Sequence, residues 1–260
     1  MSLMRPADAC IIDLDGTVYV SDEAVAGAGE AIAVLREADL PLCFATNTTR
    51  RPRSELVSRL AAMGITVATE ELFTAPVAAA RWLADAGAER VSLLLAEATF
   101  EEFEGFELDD ANPDSVIVGD LGREWTFDRL NSAFRALMGG ARLVAIQKNR
   151  FWDPGQGLCL DAGPFVAALE YASGREAVLV GKPSTPFFVS AARYLKVAID
   201  RVAVVGDSVE NDVVGGQRAG CLGVAVRTGT FREDHLDGLE RPPYAVLDSL
   251  ADLPSWLGVG

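Results

Sequence analysis

Short runs of apolar and β-branched residues alternate with longer stretches in which apolar residues recur at every third or fourth position, from one end of the chain to the other. Ala9–Ile12 is a compact apolar run, stopped by Asp13 and the turn signal Asp15-Gly16. A helix is predicted over Gly27–Ala38, with Ala31, Val34, Leu35 and Ala38 along one stripe. Leu40–Ala45 reads as the next strand. Ser54–Met63 reads as a helix that gathers Leu56, Val57, Leu60 and Ala61 on one face. Towards the other end, Val202–Val205 is a β-branched strand ending in Gly206-Asp207. A helix over Asn211–Ala219 and a strand over Gly223–Val226 follow it. Alternation of this kind predicts an α/β fold, a parallel sheet with helices on both faces.

The middle of the chain repeats the alternation with a different character. Val91–Ala96, Ser115–Val118 and Leu143–Ile146 read as strands, and Phe127–Met138 and Pro164–Ala172 as helices. Residues 85–128 carry 13 acidic side chains against Arg90 and Arg123, a net of 13 − 2 = 11 negative charges. The whole chain carries −15, so most of its charge sits in this stretch. The expected organisation is therefore a discontinuous core, residues 1–76 and 178–260, with an inserted α/β module over 77–177. The 260 residues and 50% hydrophobic content supply a sizeable core and exclude a disordered chain. The negative balance argues against nucleic acid as a partner, since phosphate backbones would be repelled. No apolar run approaches the ~20 residues that cross a bilayer, so no membrane partner is expected. Cys10, Cys43, Cys159 and Cys221 show no metal-ligand spacing; Cys10, Cys43 and Cys221, in or beside apolar runs, read as buried free thiols, which suits a reducing, cytoplasmic setting. Met1-Ser2-Leu3, ahead of Met4, carries no part of the reading.

Four polar segments fall where predicted strands end, the edge at which open parallel sheets bind ligands. The first is Asp13-Leu14-Asp15-Gly16-Thr17. Two carboxylates two residues apart can share one crevice and divide labour as nucleophile and general acid. Thr46-Asn47-Thr48-Thr49 is the second, with hydroxyl, amide and backbone N–H groups suited to phosphoryl oxygens. Gly181-Lys182-Pro183-Ser184-Thr185-Pro186 is the third. Thr185 is the expected helix cap and Pro186 the first helical residue, which places Lys182 just ahead of a helix. The fourth, Gly206-Asp207-Ser208-Val209-Glu210-Asn211-Asp212, offers Asp207 as an oxygen ligand for Mg²⁺ together with Asp13. Asp212 could orient Lys182 or a metal-bound water. Each segment alone is an ordinary turn or helix cap; their order and spacing together point to one site.

That order resembles the haloacid dehalogenase (HAD) superfamily: Asp-x-Asp-Gly-Thr, a strand ending in Thr, a later Lys-Pro, then Gly-Asp with a second Asp five residues on. The long insertion is similar to the class 2 cap of NagD-like phosphatases. Thr46–Thr49, Gly163-Pro164-Phe165-Val166, Gly181-Lys182-Pro183 and Arg227-Thr228-Gly229 resemble the subgroup of haloacid dehalogenase-like hydrolase domain-containing protein 2, near the phospholysine/phosphohistidine inorganic pyrophosphate phosphatases. The resemblance implies a Rossmann-like core, an inserted cap that selects substrate, and Mg²⁺ as cofactor. It implies Asp13 as nucleophile forming an aspartyl-phosphate and Asp15 as general acid and base. It places Mg²⁺ on the Asp13 carboxylate, the Asp15 backbone carbonyl and the Asp207 carboxylate, and phosphoryl oxygens on Thr46, Asn47 and Lys182. NagD has Asn-Asn where this chain has Asn47-Thr48; a hydroxyl still donates there, so the expectation is altered preference with the chemistry kept. Retention of Asp15 favours phosphoryl transfer over carbon–halogen cleavage.

The expected substrate is a small phosphomonoester, with a phosphoamide or pyrophosphate as alternative. The same two aspartates would serve a phosphomutase. A receiver-type phospho-acceptor combines similar groups, but in about half this length and with no inserted module. Within the cap, Gln147–Asp153 followed by Pro154-Gly155-Gln156-Gly157 clusters cations and aromatics, making Asn149 and Trp152 candidate contacts to a leaving group. His235 and the acidic run Glu101–Asp110 read as solvated surface. NagD-like proteins often pair through their caps, which makes a homodimer the expectation.

Overall fold

A computed structural model describes residues 5–152 and 157–260. Met1–Met4, and the lid positions Asp153, Pro154, Gly155 and Gln156, lie outside the described residues. The chain divides into two compact units. The first comprises the chain up to Thr46, Arg53–Phe73 and Lys182–Gly260; the second comprises Asn47–Pro52 and Thr74–Gly181.

The first unit is built on a six-stranded sheet in the order Ala245–Leu247, Leu222–Val226, Val202–Gly206, Ala9–Asp13, Leu42–Thr46, Leu72–Thr74. The pairings among its first five strands are parallel. Ala9–Asp13, Leu42–Thr46 and Val202–Gly206 are buried at every position, as apolar runs with no polar alternation require when both faces are covered. On one face Cys10, Ile12, Phe44, Val205 and Val224 pack with Ala28, Ala31, Ile32 and Leu35 of the helix Ala28–Glu37 and with Leu56 and Leu60 of the helix Arg53–Ala62. The helix Thr185–Leu195 buries Phe187, Phe188, Ala191 and Ala192, and Phe187 meets Phe73 edge-on at 5.3 Å. Its cap is Ser184, one residue earlier than the sequence suggested, with Thr185 and Pro186 inside the first turn.

The second unit has its own five-stranded sheet, Val178–Leu179, Arg142–Ala145, Ser115–Val118, Arg90–Leu94, Glu107–Leu108, parallel throughout. The two-residue period of a strand divides its side chains between two layers. Val116, Val118, Leu143 and Ala145 pack with Ala133, Ala136 and Leu137 of the helix Phe127–Met138 and with Val166 and Leu169 of the helix Ala162–Ser173. Ile117, Val144 and Ile146 pack on the other side with Ala75, Ala79 and Leu83 of the helix Ala75–Asp85. Phe151–Trp152 and Cys159–Leu160 form a separate antiparallel ribbon.

The boundaries differ from those read in the sequence. Thr74 caps the helix Ala75–Asp85, accepting from the Val77 N–H at 3.4 Å, so the second unit begins before residue 77. Val178–Leu179 pairs with Arg142–Ala145 and Val180 joins the second unit's core, which carries that unit to Gly181. Among the described residues no helix is long and apolar enough to cross a membrane. All four cysteines are free; Cys10, Cys43 and Cys221 are buried and Cys159 is exposed.

Candidate active site

Asp13, the last residue of the Ala9–Asp13 strand, lies at the centre of the first unit's sheet, where its strand is flanked by Leu42–Thr46 on one side and Val202–Gly206 on the other. Parallel register brings the ends of all three strands to the same edge, so Asp13, Thr46 and Asp207 emerge as neighbours. All three are buried.

The turn after Asp13 is held by Leu14, whose carbonyl accepts from the N–H groups of Thr17, Val18 and Tyr19. Gly16 sits at φ +92°, and a Cβ there would stand 2.3 Å from Asp207 Oδ2; only glycine lets the backbone pass. The Thr17 hydroxyl donates to Asp13 Oδ2 at 3.3 Å and accepts from the Asp207 N–H at 3.1 Å, joining the first and fourth sequence segments. The side chain of Asp15 is exposed.

Lys182 follows the second unit's last residue and reaches back as a buried ammonium. It donates to Asp13 Oδ1, and to Asp212 Oδ1 at 2.8 Å. Asp212 is carried by the π-helical turn Val209–Val214, which runs into the helix Gly215–Ala219; its Oδ2 accepts from the Ser208 N–H at 3.3 Å. Wide turns of this kind recur at functional sites because they re-aim a side chain within a helix.

The electrostatics follow from burial. Desolvation pushes the Asp13 carboxyl well above its ordinary range, against the pull of the Lys182 ammonium. Asp212 is raised for the same reason, again opposed by Lys182. Burial works against the Lys182 charge, but the Asp13 and Asp212 carboxylates outweigh it and hold the ammonium above its ordinary 10.5. Carboxylate oxygens of Asp13, Asp207 and Asp212 lie within 4.8 Å of one another. Fully ionised, they set three negative charges against one ammonium in a buried space. A hard divalent cation with oxygen preference fits this all-oxygen donor set and would neutralise the excess. The side chain of Asp15 is not part of this group.

A fifth strand end, which the sequence marks by family resemblance at Arg227-Thr228-Gly229 but without a site role, completes the site. Thr230 donates to Asp207 Oδ2 through its N–H at 2.6 Å and its hydroxyl at 2.8 Å. Thr228 donates its hydroxyl to the Gly16 carbonyl. Gly229, at φ +56°, has Asp207 Oδ2 2.2 Å and Gly16 Cα 2.5 Å from where a Cβ would stand. The signal was present: Arg227–Thr230 follows the strand Leu222–Val226 just as the other four polar segments follow theirs.

The remaining expected contacts belong to the second unit. Asn47 and Thr48 are half-buried there. Asn149 is exposed; its N–H donates to Gln147 Oε1 at 2.7 Å and its carbonyl accepts from the Gly163 N–H at 2.9 Å. Buried Gln147 in turn donates to Asp161, the cap of the helix Ala162–Ser173. Trp152 is exposed on the ribbon, paired with Cys159.

Residues 10–109 match the family model for haloacid dehalogenase-like hydrolases, and residues 179–253 match a second, HAD-hydrolase-like model. The rat haloacid dehalogenase-like hydrolase domain-containing protein 2 is 38% identical over 249 residues, 96% of this chain and 95% of that one. The human phospholysine phosphohistidine inorganic pyrophosphate phosphatase is 35% identical over 250 residues, 93% of this chain and 91% of its own. Among solved structures, NagD from E. coli K-12 superposes with a TM-score of 0.87 at 28% identity, covering 95% of this chain and 98% of that one. With its parallel-sheet core, its Asp13–Lys182–Asp207 cluster and these relatives, the chain belongs to the haloacid dehalogenase-like hydrolase family and is a phosphatase of its NagD-like branch.

Proposed function

We propose that this phosphatase is Mg²⁺-dependent and hydrolyses a small phosphomonoester through an aspartyl-phosphate on Asp13. The observation that carries the reading is the buried Asp13 carboxylate, held by Lys182 and Thr17 beside Asp207 and Asp212, with the exposed Asp15 carboxyl two residues on. Asp13, Asp207 and the Asp15 backbone carbonyl would hold the cation. When bound, it supplies positive charge for the phosphoryl oxygens that carry the transition-state charge.

An Asp13 oxygen attacks phosphorus while the bond to the leaving oxygen breaks, and Asp15 passes its proton to that oxygen. Asp15, now a carboxylate, takes a proton from water as that water attacks phosphorus. The bond to Asp13 breaks, phosphate leaves, and Asp15 is again protonated for the next cycle. Lys182 and Thr46 hold phosphoryl oxygens, with Asn47 and Thr48, next along the chain, as further donors. Lys182 also favours the ionised form of Asp13 that attack requires, opposing the desolvation that raises its carboxyl. Asp212 fixes the ammonium. Selection among leaving groups is assigned to the second unit, with Asn149 and Trp152 as contacts. Likeness to the phospholysine phosphohistidine inorganic pyrophosphate phosphatase supports a second reading, in which the phosphoryl group leaves nitrogen or another phosphate.

The test is phosphate release from a panel of phosphomonoesters, phosphoamides and pyrophosphate. Mg²⁺ should restore activity lost to chelator. Acid-quenched turnover should leave a phosphoryl group on Asp13, and Asp13→Asn should release no phosphate above background. Full turnover by Asp13→Asn would refute the covalent route, and full activity in excess chelator would refute the metal.

A further inference from the structure

The turn that follows the strand Leu222–Val226 is pinned on both sides. The Phe231 N–H donates to the Thr228 carbonyl at 3.2 Å, closing a turn in which Gly229 takes φ +56°. Phe231 is buried against Val209, Val213 and Ala225. At the other end Arg227 pairs with Glu233 at 2.8 Å and Asp248 at 3.2 Å, and its N–H donates to the Leu247 carbonyl at 2.9 Å. Thr230 is thus held against Asp207 by a fixed backbone.

Both donors of Thr230 go to one oxygen. Asp207 Oδ2 accepts from the Thr230 N–H at 2.6 Å and from its hydroxyl at 2.8 Å. A carboxylate oxygen offers two lone-pair positions, so Oδ2 is filled. Backbone also crowds it, since a Cβ at Gly16 would stand 2.3 Å from Oδ2 and one at Gly229 2.2 Å. Among the described residues both hydrogen bonds to the Asp207 carboxylate fall on Oδ2, which leaves Oδ1 open to a cation. The carboxylate cannot turn to present both oxygens without breaking the Thr230 contacts.

That restriction separates the hard divalent ions. Ca²⁺ takes roughly six to eight oxygens in flexible geometry and accepts both oxygens of one carboxylate. Mg²⁺ is smaller and demands near-ideal octahedral geometry, which the narrow bite of a bidentate carboxylate does not fit. We infer, on the reading of Asp207 as a metal ligand, that Thr230 sets the metal selectivity of the site: by filling Oδ2 it limits Asp207 to one ligating oxygen, which favours Mg²⁺ over Ca²⁺. Thr230 is a positioning residue that acts through Asp207.

The test is calorimetric titration of the chelator-stripped full chain with Mg²⁺ alone and with Ca²⁺ alone, in the parent, Thr230→Ala, Thr230→Ser and Asp207→Asn. The quantity read is the Kd for Ca²⁺ divided by the Kd for Mg²⁺, which a general loosening of the site does not move. Thr230→Ala removes the hydroxyl and leaves room in its place, so Asp207 can turn both oxygens to the larger ion. Mg²⁺ should bind about tenfold more weakly, the ordinary loss when a ligand's support is removed. Ca²⁺ should bind at least as tightly as it does to the parent, so the ratio falls about tenfold or more. Thr230→Ser keeps the hydroxyl and should keep the parent's ratio. An equal loss for both ions in Thr230→Ala, or a Thr230→Ser variant that behaves as Thr230→Ala does, would overturn the role of Thr230 and leave the metal reading standing. If the parent binds neither ion, or Asp207→Asn binds both as tightly as the parent, the metal assignment itself fails and the selectivity fails with it.

Discussion

Lys182→Met gives the sharpest measure of the buried charge cluster. Methionine keeps a flexible apolar stem of similar reach, so the change removes the ammonium with little loss of packing. Lys182 is 5% exposed and faces Asp13 and, at 2.8 Å, Asp212. Removing one partner of a buried ion pair costs about 3–5 kcal/mol, because the other charge is left uncompensated. The two contacts do not simply add, since the abandoned carboxylates can take up a proton. In a domain of this size the cost corresponds to roughly 10 °C in Tm.

The proton uptake gives the prediction a pH signature. Burial already raises Asp13, and Lys182 is the principal influence holding it down, so the variant's Asp13 rises further. A carboxyl raised in the folded state holds its proton at pH values where the unfolded chain, near 3.8, has released it. Unfolding then releases a proton, and stability falls as pH rises from 3.8 through the folded value. The Lys182 contribution in the parent is present in full below 10.5 and is lost only in strong alkali, so it is constant across this window. The difference between parent and variant should therefore be small near pH 4 and reach its full size towards neutrality. Denaturant unfolding in excess chelator, from pH 4 to pH 8, measures it. A loss of equal size at all pH values would mean that packing was the cause. A loss below about 1 kcal/mol at neutral pH would show that the cluster is not the uncompensated site described. Mg²⁺ supplies a second check. It should stabilise the variant more than the parent, because the cation meets one more unbalanced negative charge.

Two further outcomes follow from the same geometry. Thr230→Val keeps the backbone N–H but removes the hydroxyl that donates to Asp207 Oδ2 at 2.8 Å, so Mg²⁺ affinity measured by calorimetry should weaken about tenfold; an unchanged Kd would show that this contact does not orient the ligand. Trp152→Ala should reorder the kcat/KM values across a panel of phosphoesters while Mg²⁺ affinity stays unchanged; an equal fall for every substrate would remove the exposed ribbon as the selecting element.

The strand ends were legible because a buried parallel strand leaves a plain trace: an unbroken apolar run that stops at a polar residue. Ala9–Asp13 and Val202–Gly206 show it, and their side-by-side pairing made Asp13 and Asp207 neighbours. Val178–Leu179 left no such guide. Two apolar residues suit either sheet, and only the partner strand Arg142–Ala145 assigns them to the second. Asp212 was found by its distance from Asp207, but that it reaches Lys182 depends on a π-helical turn, which a count of 3.6 residues per turn does not anticipate.

The acidic character of the chain is the clearest case of a sequence property whose meaning the fold decides. The excess of 11 negative charges in residues 85–128 lies wholly in the second unit, and −15 less −11 leaves −4 for the other 216 residues. Part of that excess is structural. Asp114 accepts from the Glu89 and Arg90 N–H groups, and Asp109 from those of Ala111 and Asn112; these backbone bonds hold both carboxyls below their usual range. Asp110 accepts from the Ser92 hydroxyl at 2.6 Å. Carboxylates spent on turns and strand edges repel polyanions at a distance, within the reach that salt allows, but they set no condition on a single phosphoryl group. That condition belongs to the first unit, where three buried carboxylates face one ammonium. Net charge therefore argues against a nucleic-acid partner and is silent about a small phosphate ester.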